Sequence, residues 1–424
     1  MPLPRVKINF ADGALGIAAP MDDGVAAYLA PVRSGLTNDP DPEPFLVTSL
    51  ESLESQGYAP STAPEVHRTV ELFYREAPKG SKLWVMPFVI DDANPGNDFL
   101  CSAIAADAGR QLLEAARGQV RLLMADTIRN LDTSLDAYDG SGNIRVPPAF
   151  TYLQDLCQWA TDDLYAPCIA VTTLYARPDT DCSGHPIIAD PVQYGTYDRL
   201  CVVEGWQRVM DGGTEVDDIV KPLGLLAGRL AAIPVQRSAA RVKSGPIAGA
   251  DVMWLPSCDA DHQSHGPAER GGIAELLHDR GYIVPRTFVG KSGYYWSDDT
   301  LCTDPASDYS LIPRRRTIDK AYRIAYQTLV YEIGDEIPVT DQGTPAPAIL
   351  KAIETKVESA IVRQMTSQGN LGTDPTDAND LGVQCYINPD QDILTTNRLD
   401  ITLKVKPYGY AKYIEVELGF LVES

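Results

Sequence analysis

Positive charge is scarce in this chain. Across 424 residues, 36 Lys and Arg stand against 58 Asp and Glu, a formal net charge of −22 at pH 7. A protein whose main ligand is DNA or RNA must neutralise phosphates, so such a polyanion is excluded as the principal partner. The same imbalance keeps free copies apart in solution. Long apolar runs are missing as well. No stretch approaches the roughly 20 residues that cross a bilayer. The short apolar run at 14–20 follows Asp12 and is not read as a signal peptide. Neither nucleic-acid binding nor membrane insertion is expected.

Catalytic signatures are equally thin. No G-x-S-x-G elbow and no H-E-x-x-H occurs, and the five histidines are too scattered to nominate a general base. Gly290-Lys291-Ser292 looks like the tail of a phosphate-binding loop. The position where that loop needs its first glycine is Pro285, which has a fixed φ and no N–H. "RNLDTSLDAYDGSGN" lacks the spacing and the closing Glu of a calcium loop. Cys258, Asp259, Asp261, His262 and His265 are respectable zinc-ligand types. No second ligand pair accompanies them, so a hydrated loop is the plainer reading. A metal-dependent enzyme using Cys258, His262 and His265 stays open as an alternative. Eight cysteines without a CxxC, widely spaced, read as free and mostly buried thiols of a reducing compartment. No catalytic residue, cofactor or metal is nominated.

What is present is a globular pattern. Hydrophobic content of 44% with 22% charged residues fits packed cores rather than disorder, and the length calls for two or three domains. From residue 45 onward strands and helices alternate. "PFLVTSL" reads as a strand, "APEVHRTVELFYREAP" as a helix and "SKLWVMPFVI" as a buried strand. Helix 102–117, "VRLLMA", helix 150–163, "PCIAVTTLY", "RLCVVEG", helix "IVKPLGLLAGRLAAI" and "ADVMWLP" follow. That alternation implies an α/β architecture with a largely parallel sheet. A further region begins near 271. "GIAELLHDRGYIV" is a helix stopped by Gly281, and "TIDKAYRIAYQTLVYEIGD" is a helix with Thr317 as N-cap. A long helix starting at Thr344 and Pro345 carries Ile349, Ile353, Val357 and Ile361 on one face and ends at Gly369. Within it, Lys351, Lys356 and Arg363 supply positive charge. No internal repeat or low-complexity tract occurs.

Both ends of the chain carry strand patterns. Val6, Ile8 and Phe10 alternate with polar residues, as do Ile401, Leu403 and Val405. Beyond "PYGYAK", Ile414, Val416, Leu418, Phe420 and Val422 recur every second residue. A terminal strand must pair or leave a row of N–H and C=O groups open. Taken alone, the pattern allows pairing within the subunit or with another copy. The one basic cluster, Arg314, Arg315, Arg316, Lys320 and Arg323, sits where a helix dipole disfavours cations. Its expected use is either an external acidic partner or a solvated face on which Asp319, Glu332 and water absorb the charges.

Several segments, in order, resemble the contractile-tail sheath proteins of bacteriophages, R-type bacteriocins and related injection systems, and in particular the sheath-like proteins of prophages. They are "VTSLESLESQGYAP", "TVELFYREAPKGSKLWVMPF", and "LAGRLAAIPVQRSAARVKSGPIAG" with Gly228 and Arg229. Next come "LLHDRGYIVPRTFVGKSGYYWSDDTLCTDP" with Trp296, Thr300 and Leu301, "YSLIPRRRTIDKAYRIAYQTLVYE", and "AIETKVESAIVRQMTSQGNL". The Trp and Pro-Ala that the family carries after the third segment are absent here.

The resemblance implies a structural, non-enzymatic subunit with no cofactor. Copies would assemble as stacked hexameric rings in a helical sleeve around an inner tail tube protein, capped by baseplate and tail terminator proteins. The sleeve contracts to drive the tube through a target envelope. A type VI secretion sheath component is the neighbouring alternative. The particle would be a virion tail or injection system, assembled in a bacterial cytoplasm.

The fold class expected is α/β, with a mixed-sheet C-terminal sheath domain completed by terminal strands and an outer α/β region. The implied parts are an N-terminal arm over 1–25, an outer region over 26–270, a tube-facing domain over 271–400 and C-terminal strands over 401–424. Terminal strands bearing Val6, Ile8, Phe10, Ile414, Val416, Leu418 and Phe420 would pair with other copies by β-augmentation. Each main-chain bond is worth about 1 kcal/mol net, and each buried apolar side chain roughly 1.5–3 kcal/mol. Helix 317–333, with Arg314, Arg315 and Arg316 just before it and Lys320 and Arg323 on it, is by similarity the tube-contact candidate. Helix 345–368 competes with it.

Overall fold

The computed structural model describes residues 23–33, 43–90, 103–126, 148–173, 197–211, 214–249, 253–255, 273–341 and 343–418. The chain forms two compact units, Met1–Glu336 and Ile337–Ser424.

The first unit opens with β1 (Ala26–Arg33), β2 (Phe45–Val47), α1 (Leu50–Ser55), α2 (Pro64–Glu76) and β3 (Leu83–Ile90). It continues through α3 (Ala103–Ala115), β4 (Leu122–Ala125), α4 (Pro148–Asp162), β5 (Ile169–Thr173) and β6 (Leu200–Val203). Six of these strands make one mixed sheet in the order β2-β3-β1-β4-β5-β6. All pairings are parallel except that of β2 with β3. The α/β class inferred from alternation is therefore the fold of this unit.

Strand β1 was not legible in the sequence. Its run "AAYLAPVR" is rich in alanine and contains Pro31, which reads as a loop. In the structure it lies in the middle of the sheet. Ala26, Tyr28, Ala30 and Val32 enter one core and Ala27 and Leu29 the other. Small residues fit here because helices press on both faces of a parallel sheet. Pro31 falls past the described stretch paired to β4 and faces Phe88 of β3.

The first face is covered by α2 and by α5 (Leu223–Ala232), the second by α3 and α4. Helices α2 and α5 cross closely because α5 presents glycines. A Cβ on Gly224 would lie 2.2 Å from the Thr69 carbonyl oxygen, and one on Gly228 would lie 2.4 Å from that of Phe73. Before α5 come β7 (Trp206–Asp211) and β8 (Thr214–Val220), which with β9 (Met253–Trp254) form an antiparallel sheet in the order β8-β7-β9. The helix expected across 219–233 thus yields its first two residues to β8 and starts after Pro222.

Helix α6 (Ile273–Asp279) ends at Gly281, whose φ of +86° suits glycine. Ile283 then bridges Val203 at the end of β6, and Cys302 bridges Tyr197. Between them β10 (Pro285–Arg286) pairs with β11 (Tyr295–Trp296). Helix α7 (Ile312–Leu329) starts five residues before the expected Thr317 cap, because Pro313 fits its first turn. Thr317 instead donates its hydroxyl to the Pro313 carbonyl at 2.7 Å inside the helix. Helices α6 and α7 lie in the first compact unit, which ends at Glu336.

The second unit holds α8 (Pro347–Gln364), β12 (Val383–Ile387), α9 (Ile393–Thr396) and β13 (Ile401–Val405). Leu350, Ile353, Val357 and Ile361 of α8 are buried, and α8 packs on β12, where Cys385 and Ile387 are buried. Gly369, in the left-handed region at φ +68°, closes the turn after α8. Strands β12 and β13 pair antiparallel, with Cys385 opposite Leu403 and Ile387 opposite Ile401.

Candidate assembly interface

The C-terminal stretch is split by the structure. Its first part, β13, pairs with β12 inside its own unit. From Lys406 to Leu418 no residue is in a helix or strand. Within that stretch the alternating apolar residues stand in the open, with Ile414 79%, Val416 77% and Leu418 96% exposed. The spacing is that of a strand, and a strand left unpaired presents a row of open N–H and C=O groups. Val6, Ile8, Phe10 and Phe420 lie outside the described residues.

The small sheet has two unlike edges. On β12, the amides of Cys385 and Ile387 donate to carboxylate oxygens of α8, Cys385 to Glu358 at 2.8 Å and Ile387 to Glu354 at 2.8 Å. Those amides therefore point away from β13. Their opposite numbers Leu403 and Ile401 must in turn direct N–H and C=O away from β12, because facing residues of an antiparallel pair are either both bonded across or both turned outward. Lys351 donates to Glu354 at 2.9 Å. This bond and the Ile387 amide hold the Glu354 carboxyl below its ordinary range.

The basic cluster of α7 turns inward. Arg315, Arg316, Lys320 and Arg323 are all buried, at 8% exposure or less. Lys320 and Arg323 clamp the two oxygens of Asp23 at 2.6 and 2.7 Å, and Arg316 donates to the Asp23 carbonyl at 3.1 Å. Burial opposes ionisation of Asp23, but Arg323, Lys320 and Arg316 outweigh it and hold its carboxyl below the ordinary value. One helical turn along, Asp319 accepts from the buried Arg199 at 3.1 Å, and Arg315 reaches Asp198 at 2.9 Å. Burial works against the Arg199 charge, but Asp319 more than compensates and raises its pKa. Asp319, four residues from Arg315 on the same helix, is thus joined by Asp23 and Asp198, which the fold brings from far along the chain to the buried cations. Arg314 is partly buried. On α8, by contrast, Lys351, Lys356 and Arg363 are all exposed.

The metal alternative rested on Cys258, His262 and His265, which lie outside the described residues. Among the described residues, no group of three His, Cys, Asp or Glu side chains is placed to hold an ion. No helix among them is long and apolar enough to cross a membrane. Sequence reading missed Asp23, Glu354 and Glu358. The glutamates left a faint signal, an i, i+4 acidic pair beside the apolar face of α8; Asp23 left none.

Residues 3–300 match the family model described as "DUF2586, N-terminal domain", and residues 308–424 match "DUF2586, C-terminal domain". Helix α7 thus falls in the sequence of the second family domain while packing in the first compact unit. No curated protein matches the sequence. Solved structures do match along their whole length. The helical sheath of the anti-feeding prophage in its contracted state aligns with TM-score 0.62 at 15% identity, covering 99% of both chains. A chain of the sixfold-symmetrised baseplate of the same particle aligns at 0.60 and 14%, covering all of both chains. The contracted PVC sheath complex of an extracellular contractile injection system aligns at 0.58 and 13%, covering 99% of this chain and 98% of that one. The chain therefore has the fold of contractile sheath proteins.

Proposed function

The chain belongs to the DUF2586 family and folds as contractile sheath proteins do, and from that premise we propose that it is the sheath subunit of a contractile tail or injection system. Copies polymerise as a helical sleeve around an inner tube and shorten to drive the tube through an envelope. The observation that carries this reading is the exposed alternation of Ile414, Val416 and Leu418 beyond a sheet with an open edge. Such a tail is idle in a monomer and useful in an array, where each copy lends a strand to the next. Head-to-tail contacts of that kind do not close on themselves and give helical assemblies. The N-terminal residues Val6, Ile8 and Phe10 are proposed to act in the same way.

The partners follow from the same reading: further copies of the chain, a tube protein inside, and baseplate and terminator proteins at the ends. With four of the five α7 cations buried, α8 is the better tube-facing candidate. Its exposed Lys356 and Arg363 would meet acidic groups in exposed pairs worth about 0–1 kcal/mol each. Contacts that weak are released without disturbing a core. The role requires no catalysis. Assembly in a bacterial cytoplasm belongs to the same proposal.

Negative-stain electron microscopy of the expressed protein, alone and with a co-expressed tube protein, tests the function. Hollow sleeves or stacked sixfold rings are expected. Dispersed single copies under both conditions would overturn it.

A further inference from the structure

We infer that Glu354 and Glu358 lock the outer edge of β12, so that a strand arriving from a second copy adds to β13 and not to β12. The inference rests on the proposed strand exchange and specifies its site.

The lock is a match of two spacings. Glutamates four apart on a helix rise about 6 Å along it, while alternate residues of a strand are about 6.6 Å apart. Helix α8 lies against β12, so Glu354 and Glu358 meet the outward amides of Ile387 and Cys385 one for one. Their carboxylates occupy the places that carbonyl oxygens of an added strand would take. They also repel the carbonyls such a strand would bring. Charged side chains turned onto an edge are a known way of denying it to other chains. Glu354 is buried and held in place by Lys351, which fixes the lock in its engaged form.

Strand β13 has the opposite character. Among the described residues, nothing accepts from the outward amides of Ile401 and Leu403. Its side chains also suit the exposed tail. Ile401, Leu403 and Val405 are only half buried on the face they share with Cys385 and Ile387, while Thr402 and Lys404 are exposed on the other. A second copy's segment 413–418 laid along this edge would place Ile414, Val416 and Leu418 on the half-buried apolar face. Glu415 and Glu417 would then lie on the face of Lys404. The occupant is thus the C-terminal tail of another copy, matched in periodicity and in charge.

The test uses the full chain with p-benzoylphenylalanine replacing Lys404 or, separately, Gln384, the exposed β12 residue that faces it across the ladder. Assembled samples are irradiated, cross-linked copies are mapped by mass spectrometry, and the grids are examined for sleeves. Capture of residues 411–424 from position 404, at least tenfold above position 384, is the expected result. In the Glu354→Ala/Glu358→Ala background, capture from position 384 should rise and the amides of Cys385 and Ile387 should lose protection in hydrogen exchange. Sleeves with equal or preferred capture at position 384 would overturn the edge assignment and leave the sheath reading intact. Absence of sleeves together with absence of any inter-copy cross-link would overturn both.

Discussion

Arg323 and Asp23 stand 300 positions apart in the sequence and 2.7 Å apart in the folded chain. This pair ties the start of the central strand to the middle of α7, and with Lys320 and Arg316 it surrounds one carboxylate with three buried cations. The cluster that looked like an outward-facing basic patch is thus a fastening within the first unit. Breaking a buried pair from one side leaves charge without compensation, which costs more than the pair itself contributes.

Asp23→Asn should therefore destabilise the first unit by about 3–5 kcal/mol. Urea unfolding of the purified monomer, followed by fluorescence of its tryptophans, measures this. A loss below about 0.5 kcal/mol, the range of an ordinary surface substitution, would show that the fastening is idle.

Two titrations bracket the pH range of stability. Asp23 has a folded pKa below its ordinary 3.8, so its contribution is complete above that value and disappears as pH falls through the depressed one. His278 runs the other way. The hydrogen bond to Asp298 at 3.0 Å raises it above 6.5 despite partial burial, so its contribution is complete below 6.5 and lost as pH rises through the folded value. Melting temperatures of His278→Gln and the parent should converge at alkaline pH and separate below pH 6.5. Parallel curves across the whole range would contradict the assignment.

Gly228→Ala tests the close crossing of α2 and α5. The added methyl would meet the Phe73 carbonyl oxygen and the Glu76 side chain, and the backbone carbonyl cannot step aside as a flexible side chain would. A loss of about 1–3 kcal/mol is expected from overpacking. In an uncrowded helix the same change would be stabilising, so the sign of the shift in a thermal melt decides the point.

Ile414→Asp together with Val416→Asp separates folding from assembly. Both side chains are more than three-quarters exposed in the monomer, so its melting temperature should stay within about 1 °C of the parent, as for other surface changes. In the array each buried apolar side chain contributes roughly 1.5–3 kcal/mol per copy, and losing two should abolish sleeves at micromolar protein. Normal sleeves from this variant would remove the tail from the assembly contact.

Much of this was written in local patterns. The buried runs of β3, β4, β5 and β6, the apolar stripe of α8 and the alternation at 414–418 are periodicities, set by how side chains project from helices and strands. They determined the α/β class and the strand period of the exposed tail. Strand β1 escaped because alanines and a proline carry no such signal; only its placement between β3 and β4 makes it a strand. The fate of the α7 cations was likewise a tertiary matter. A charge run has the same sequence whether it faces water or a carboxylate; Asp319 lies in the helix itself, but Asp23 and Asp198 reach it only when the sheet and helix close. The two edges of the small sheet were decided last. Glu354 and Glu358 look like ordinary helix surface until β12 lies beside them, because an edge is closed by what the fold brings against it and not by its own residues.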